Sequence, residues 1–504
     1  MLIMVCRVRY KRMKEKKPFI KKIKTEKNYY IYDVNTNNIL RVNKIVWELI
    51  DFVYEFSREE ILNKWKSKYK KDIIIKALNN IYHYHEKENL FSPHRPKDIK
   101  ISFSEAEIIR MLNTSLKQLT LEATQQCNLR CFYCVYSGKF QSERTHATKA
   151  IDLNNAKRAI DYYLAHSQEN DRPTITFYGG EPLLNFSLIH ECITYAQKKA
   201  QRRIYFGITT NGTLLNDKII NFLIENDCGL TISLDGPKNI HDRYRRTLQG
   251  NGTFDIIMSN IEKIRKISEE YFSLKGGFNV VIAPPFQLKK LKEFFDSLAE
   301  SYPHSYLKVG FVKKEGSSLF KDEIEENGLY EQLHKLKLDF KFNLIKGEPN
   351  KSPFLKALFE SDILRLYKRG IFDRLGDFYS PNGVCIPGLR KLFVNAYGNF
   401  YICERLDSFQ AIGNIIEGLD YKQIINLINN YSLLCKQDCL DCWLIRLCDL
   451  CFVSAISGKE LNLEKKRKKC KSQKKRFENA MKFCLEVLEE NPNALSYLKN
   501  SIII

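Results

Sequence analysis

The period of apolar and polar positions changes along this chain, and the changes divide it. Residues 29–34 and 39–42 are β-prone runs on either side of Asn35-Thr36-Asn37-Asn38, a hairpin composition. Ile45, Val46, Leu49, Ile50 and Val53 then recur at helical spacing. Ser57 and Glu60 form a capping-box pattern that opens a second helix. A third helix is predicted over 72–86. A hairpin followed by three helices predicts a winged-helix-like module over 1–92. Pro93 and Pro96 open a linker, 93–115.

From there short β-rich runs alternate with helical stretches. The runs are 118–124, 174–178, 204–209, 230–234, 278–282 and 307–312. The helical stretches are 151–166, 187–201, 214–226, 254–270 and 288–300. Six strands alternating with helices predict a parallel α/β sheet over 116–315, curled into a partial (β/α)6 TIM-type barrel. Chemistry in such folds sits at the carboxyl ends of the strands. Residues 316–380 read as a helical bridging region. Residues 381–475 are cysteine-rich, with β-prone runs at 391–395 and 399–403, and 476–504 read as a C-terminal helix. No run of apolar residues is long enough to span a membrane.

Composition narrows the class. Apolar residues are 44% and charged residues 28% of 504, which excludes a disordered or low-complexity chain. The net charge is +22, but residues 1–28 and 465–476 each carry +9, so the remainder is nearly neutral. That pattern describes two solvated basic segments, or attraction of an acidic partner, a peptide or a nucleic acid, rather than a uniformly basic nucleic-acid-binding surface. The apolar start is too short for a secretory signal, so a cytoplasmic location is expected. Fifteen cysteines in a reducing compartment then point to metal ligands rather than disulfides.

The cysteines fall in two groups. Cys127-Asn-Leu-Arg-Cys131-Phe-Tyr-Cys134 follows the first barrel strand. Three thiolates on a cubane cluster leave one iron without a protein ligand. A zinc site would want a fourth ligand, and the loop holds none. Gly179-Gly180-Glu181-Pro182 follows the second strand and Thr210-Asn211-Gly212-Thr213 the third. Ser233-Leu-Asp235-Gly-Pro237 follows the fourth, with Arg245 beyond it. The second group is Cys385, Cys403, Cys439-x2-Cys442-x5-Cys448-x2-Cys451 and Cys470, with Cys435 just upstream of the paired motif. Taken by spacing alone, it also suits a ribbon-type zinc site. Cys6, Cys192, Cys228 and Cys484 read as ordinary thiols.

These motifs resemble the radical S-adenosylmethionine enzymes over residues 116–312, with Tyr133 in the aromatic place of their CxxxCx(aromatic)C signature. The resemblance implies a [4Fe–4S] cluster on Cys127, Cys131 and Cys134. Its open iron would bind S-adenosyl-L-methionine, which yields a 5′-deoxyadenosyl radical. It also implies that Gly179, Gly180 and Glu181 hold the methionine amino group. Asn211 is carried over as a cofactor-binding position, and Ser233 and Arg245 as contacts to the ribose and carboxylate. Asp235 reads equally as a structural turn residue. The second group resembles the SPASM domain, with x2 where its commonest pattern has x3. By that resemblance Cys385, Cys403 and Cys451 hold one auxiliary [4Fe–4S] cluster, and Cys439, Cys442, Cys448 and Cys470 another. Either Cys435 completes the first, or that site is open to a substrate thiolate. Glu404, beside Cys403, corresponds to a general base of sulfatase-maturing relatives, or is an exposed strand-edge glutamate. The amino-terminal module resembles the PqqD-like leader-recognition element of peptide maturases.

The function implied is an oxidoreductase acting on a ribosomally made precursor peptide with a leader, of the thioether (ranthipeptide) type. An electron donor such as flavodoxin or ferredoxin is implied as partner; membrane and nucleic acid are not. The alternatives are a sulfatase maturase forming formylglycine and a non-catalytic Fe–S protein that binds nucleic acid.

Overall fold

The computed structural model describes residues 17–501 apart from 141–142, 304, 314–318, 321–327, 382 and 384. Cys6 and the first sixteen residues of the basic start lie outside the described residues.

The amino-terminal runs form an antiparallel sheet of β1 (Ile20–Lys24), β2 (Tyr29–Asp33) and β3 (Asn38–Val42), in that order. The sequence reading missed β1, because three of its five residues are lysines that mask the β pattern. Ile23 is its buried residue, while Lys22 pairs with Asp51 at 2.8 Å and Lys21 with Glu478 at 2.8 Å. The β2–β3 turn is built on buried Asp33, whose carboxylate accepts from Thr36 N (2.8 Å) and Phe91 N (2.7 Å). Three helices follow: Lys44–Leu49, Arg58–Trp65 and Lys71–Glu88. The middle one carries the expected capping box between Ser57 and Glu60.

After a short β4 (Asp98–Ile99) come six parallel strands. They are β5 (Gln118–Thr124), β6 (Thr174–Gly179), β7 (Tyr205–Thr210), β8 (Gly229–Ser233), β9 (Gly276–Ile282) and β10 (Tyr306–Phe311). They neighbour one another in chain order, each linked to the next through helix. Along β6 and β7 buried and half-buried residues alternate. Ile175, Phe177, Phe206 and Ile208 share one core with Ile160, Ile189 and Ile220 of the covering helices. Thr176 and Tyr178 therefore turn to the opposite, inner face.

The sheet does not close: among the described residues no strand pairs with the outer edge of β10. A short β11 (Phe378–Tyr379) pairs with β4, and on the other side the large sheet continues into the cysteine-rich region through β12 (Leu392–Val394), β13 (Asn399–Tyr401), β14 (Gly413–Asn414) and β15 (Gly418–Leu419). Leu392 and Val394 lie in parallel register with Leu119 and Leu121 of β5. The helices Leu329–Ile345, Pro353–Tyr367 and Leu463–Glu490 pack together, Phe340 stacking on Phe483 at 6.3 Å. The amino-terminal sheet is fastened to this frame: Glu489 accepts from Thr25, Asn28 and Tyr30, and Arg446 donates to the carbonyls of Val34 and Asn35. No helix among the described residues is long and apolar enough to cross a membrane.

One expectation is corrected here. The basic run 465–476 is solvated only in part: Arg467, Lys468, Lys471, Lys475 and Arg476 are exposed, whereas Lys466 is buried. The run is the first half of Leu463–Glu490, and Lys466 is only 2% exposed because the cysteine-rich region packs over it. Arg467 pairs with Asp438 and Arg476 with Asp449.

Candidate functional site

The loop after β5 carries Cys127, Cys131 and Cys134, pinned from three sides. Arg130 N and Phe132 N donate to the carbonyls of Arg246 and Tyr244, 2.8 and 3.0 Å away. Cys134 N donates to Cys131 O at 3.0 Å, which curls the loop back on itself. His146 Nε2 lies 3.7 Å from Cys134 Sγ. Burial pushes the Cys127 thiol up to about 12 and the Cys131 thiol up to about 11. Burial thus disfavours the free thiolates, and a bound metal would supply the counter-charge that favours them. A cavity of about 580 Å³ opens beside Cys131, lined by Tyr136, His146, Tyr244 and the basic side chains Arg130, Arg243 and Arg246.

The two glycines at the end of β6 let this loop seat on the sheet. A Cβ on Gly179 (φ +142°) would lie 2.1 Å from Thr124 O, and one on Gly180 would lie 2.0 Å from Gln126 O. Gly180 N and Glu181 N donate to those same two carbonyls. Glu181 is buried, and its carboxylate accepts from Leu183 N (3.0 Å), Thr210 Oγ1 (2.6 Å) and Asn211 N (2.6 Å). It braces the ends of β6 and β7 against each other. Asn211 Nδ2 donates to Asn128 Oδ1 at 2.8 Å, tying the β7 loop to the cysteine loop. The sequence reading did not single out Asn128, although it lies inside the CxxxC spacing.

Ser233 ends β8 beside a buried polar group. Asp235 Oδ1 accepts from Val281 N at 2.9 Å, and its Oδ2 accepts from the Tyr133 hydroxyl. Arg245 Nη1 donates to Tyr133 Oη at 2.9 Å and stands 3.8 Å from Asp235. Asp235 is thus a partner of Tyr133 and Arg245 and not merely a turn residue. Arg245 is 7% exposed, and its Nε has no partner among the described residues. A buried guanidinium with an unpaired donor next to Cys131 suits a carboxylate ligand. His241 supports this corner: Asp235 N donates to its Nδ1 (3.2 Å), so its Nε2 proton faces Thr253 Oγ1 (3.0 Å). Burial, with Arg245 nearby, pushes its pKa down to about 3, so the ring is neutral.

The carboxyl-terminal cysteines separate into two sets. Cys385 lies within electrostatic reach of Cys451, and Cys403 of Cys385. Gly383 permits that approach, since a Cβ there would meet the Asp449 backbone at 2.3 Å. Cys435, Cys439, Cys442, Cys448 and Cys470 line a separate cavity of about 360 Å³. Cys435 therefore stands with the second set. Cys192, Cys228 and Cys484 are core residues. Among the described residues no three His, Cys, Asp or Glu side chains converge as ligands of a single metal ion.

Glu404 is not on an exposed strand edge. It pairs with Lys391 at 2.9 Å and lies within electrostatic reach of Tyr178 on β6 and Lys308 on β10. Only the barrel interior is near both strands. Burial works to raise its carboxyl, but the Lys391 ammonium outweighs burial and holds Glu404 below the ordinary glutamate range. Asp407, a turn further on, was not anticipated. Burial pushes its carboxyl up to about 6 against the opposing charge of Arg144, which pairs with Glu122 at 2.6 Å. No motif spacing marks these three; they meet only through the β5–β12 contact.

Comparison with known proteins fits this geometry. Residues 121–298 match the radical SAM superfamily. The uncharacterized protein MJ0907 of Methanocaldococcus jannaschii is 31% identical over 306 residues, 60% of this chain and 89% of that one. The chain belongs to the radical SAM superfamily. It is an enzyme of a family that uses a [4Fe–4S] cluster and S-adenosylmethionine, which removes the non-catalytic nucleic-acid-binding alternative. The cysteine-type anaerobic sulfatase-maturating enzyme of Clostridium novyi is 34% identical over 160 residues, 31% of this chain. This chain spans 42% of that maturase and 43% of the cyclopropyl synthase TigE of Paramaledivibacter caminithermalis, which is 24% identical. The structure of anSMEcpe with bound AdoMet superposes with a TM-score of 0.53 at 21% identity, covering 76% of this chain and 99% of that one, and shares the fold.

Proposed function

We propose that this radical SAM enzyme modifies a ribosomally made precursor peptide, forming thioether links from cysteine sulfur to carbon. The supporting observation is the position of Cys435 with the second cysteine set. Cys385, Cys403 and Cys451 then form a three-thiol group beside Glu404 and the barrel interior. A site with one ligand short can take a substrate thiolate.

Bound at the loop thiols, the cluster and S-adenosylmethionine supply one chemistry: a 5′-deoxyadenosyl radical that removes a hydrogen atom from a substrate carbon. The chain's residues do the rest. Arg245 offers its free Nε to the methionine carboxylate, while Tyr133 and Asp235 fix the guanidinium. Glu181 and Asn211 hold the strand ends that frame the cofactor. Glu404, held ionised by Lys391, accepts the thiol proton. Closing the carbon–sulfur bond leaves one surplus electron, which a cluster held by Cys439, Cys442, Cys448 and Cys470 would accept. For the leader, β3 has no further strand beyond it among the described residues, so a peptide can add there as an extra strand.

The test is anaerobic turnover with a reductant, S-adenosylmethionine and the precursor peptide. We expect 5′-deoxyadenosine, and a peptide that has lost two hydrogens and one alkylatable thiol per link while keeping its sulfur. A peptide without its leader should be modified far less. Absence of 5′-deoxyadenosine overturns the reading. The sulfatase-maturating relatives favour a second reading, formylglycine formation. A product that has lost sulfur and gained an aldehyde would establish it.

A further inference from the structure

Lys466 carries a charge into a place where charges are costly. It is 2% exposed, in the middle of the packed cysteine-rich region. Lysines are almost never this buried without an anionic partner. Its partners here are sulfurs: Nζ lies 3.5 Å from Cys439 Sγ and 3.8 Å from Cys470 Sγ. The nearby carboxylate, Asp438, is taken up by Arg467 at 2.9 and 3.1 Å. Two helices build this arrangement with the same spacing. Lys466 and Cys470 stand one turn apart on Leu463–Glu490, and Cys435 and Cys439 one turn apart on Tyr421–Cys439. All four side chains face the cavity of about 360 Å³ that Cys442 and Cys448 complete.

We propose that Lys466 donates hydrogen bonds to the thiolate ligands of the iron–sulfur cluster held by Cys439, Cys442, Cys448 and Cys470, and so raises that cluster's reduction potential. The inference rests on the reading that this cavity holds a cluster. Four thiolates make such a cluster a net anion, and reduction adds one further negative charge. A fixed buried cation stabilises the reduced form more than the oxidised form, and hydrogen bonds to the sulfurs act in the same direction. One electron enters the cluster, Lys466 keeps its proton, and no bond forms or breaks. Lys466 is thus a positioning residue that makes this cluster the easier electron acceptor.

The experiment is a redox titration of the anaerobically reconstituted full chain, with dithionite and mediators, followed by electron paramagnetic resonance. The other clusters serve as internal references. In Lys466→Gln one midpoint should move to more negative potential while the others stay. Lys466→Arg, which keeps the charge, should stay near the wild-type value. Unmoved midpoints in Lys466→Gln at full iron content overturn the proposal, as does an arginine variant shifted as far as the glutamine one. Loss of iron from both variants makes the lysine structural and also overturns it. Iron content of Cys442→Ala separates the underlying reading: if it equals wild type, the cavity holds no cluster, and the cluster reading falls together with the proposal.

Discussion

At the scale of single residues, the corner of Tyr133, Asp235, Arg245 and His241 sets both cofactor binding and pH response. Removing Arg245 as Arg245→Leu leaves Asp235 buried without its cation, a change that costs about 3 kcal/mol when a buried pair is broken. We expect a loss of that size in denaturant titration and weaker S-adenosylmethionine retention in equilibrium dialysis. His241 predicts a slope with pH. Its ring is neutral in the folded chain, with a pKa of about 3 against 6.5 unfolded, so acid favours the unfolded state. Stability from this group is complete above pH 6.5 and declines below it by up to roughly 1.4 kcal/mol per pH unit. His241→Gln should flatten that part of the stability profile; parallel profiles for the two proteins would refute the assignment.

At the scale of elements, strand ends and helix turns carry the chemistry. The end of β6 approaches the cysteine loop so closely that only glycine fits at Gly179 and Gly180. Alanine at 180 must push Gln126 O away, an overpacking cost of about 2 kcal/mol. Gly180→Ala should lower the melting temperature and reduce the iron bound at Cys127, Cys131 and Cys134; full iron and unchanged melting would contradict this seating. The six barrel strands were legible in the sequence because each is a short apolar run followed by a helix. The strand β1 was not, since its lysines stand on both faces: Lys22 pairs with Asp51 and lies over Trp47, Lys24 lies over Tyr29, and Lys21 on the other face pairs with Glu478. The role of Lys466 was hidden in the same way, inside a run of basic residues that composition treats as solvated.

At the scale of the whole molecule, one sheet joins the radical-generating half to the auxiliary cysteines. Pairing of β12 with β5 covers Leu119 and Leu121, and places Glu404 and Asp407 at the barrel interior. A chain ended at residue 380 would expose the β5 edge, and unpaired apolar edges associate. We expect such a truncation to aggregate in light-scattering measurements; a monodisperse product would mean that the barrel is self-sufficient. The amino-terminal sheet is held just as firmly, through Glu489 and Arg446.

The sequence by itself determined the periodicities of strand and helix, the thiol spacings, and the glycines where backbones must touch. These are local properties, written within a few residues of one another. The tertiary structure alone decided which cysteines stand together, that Cys435 joins the second set, and that Glu404 faces inward. It also decided that Lys466 is buried against sulfur. Such outcomes depend on contacts between segments tens to hundreds of residues apart, whose packing no local pattern encodes.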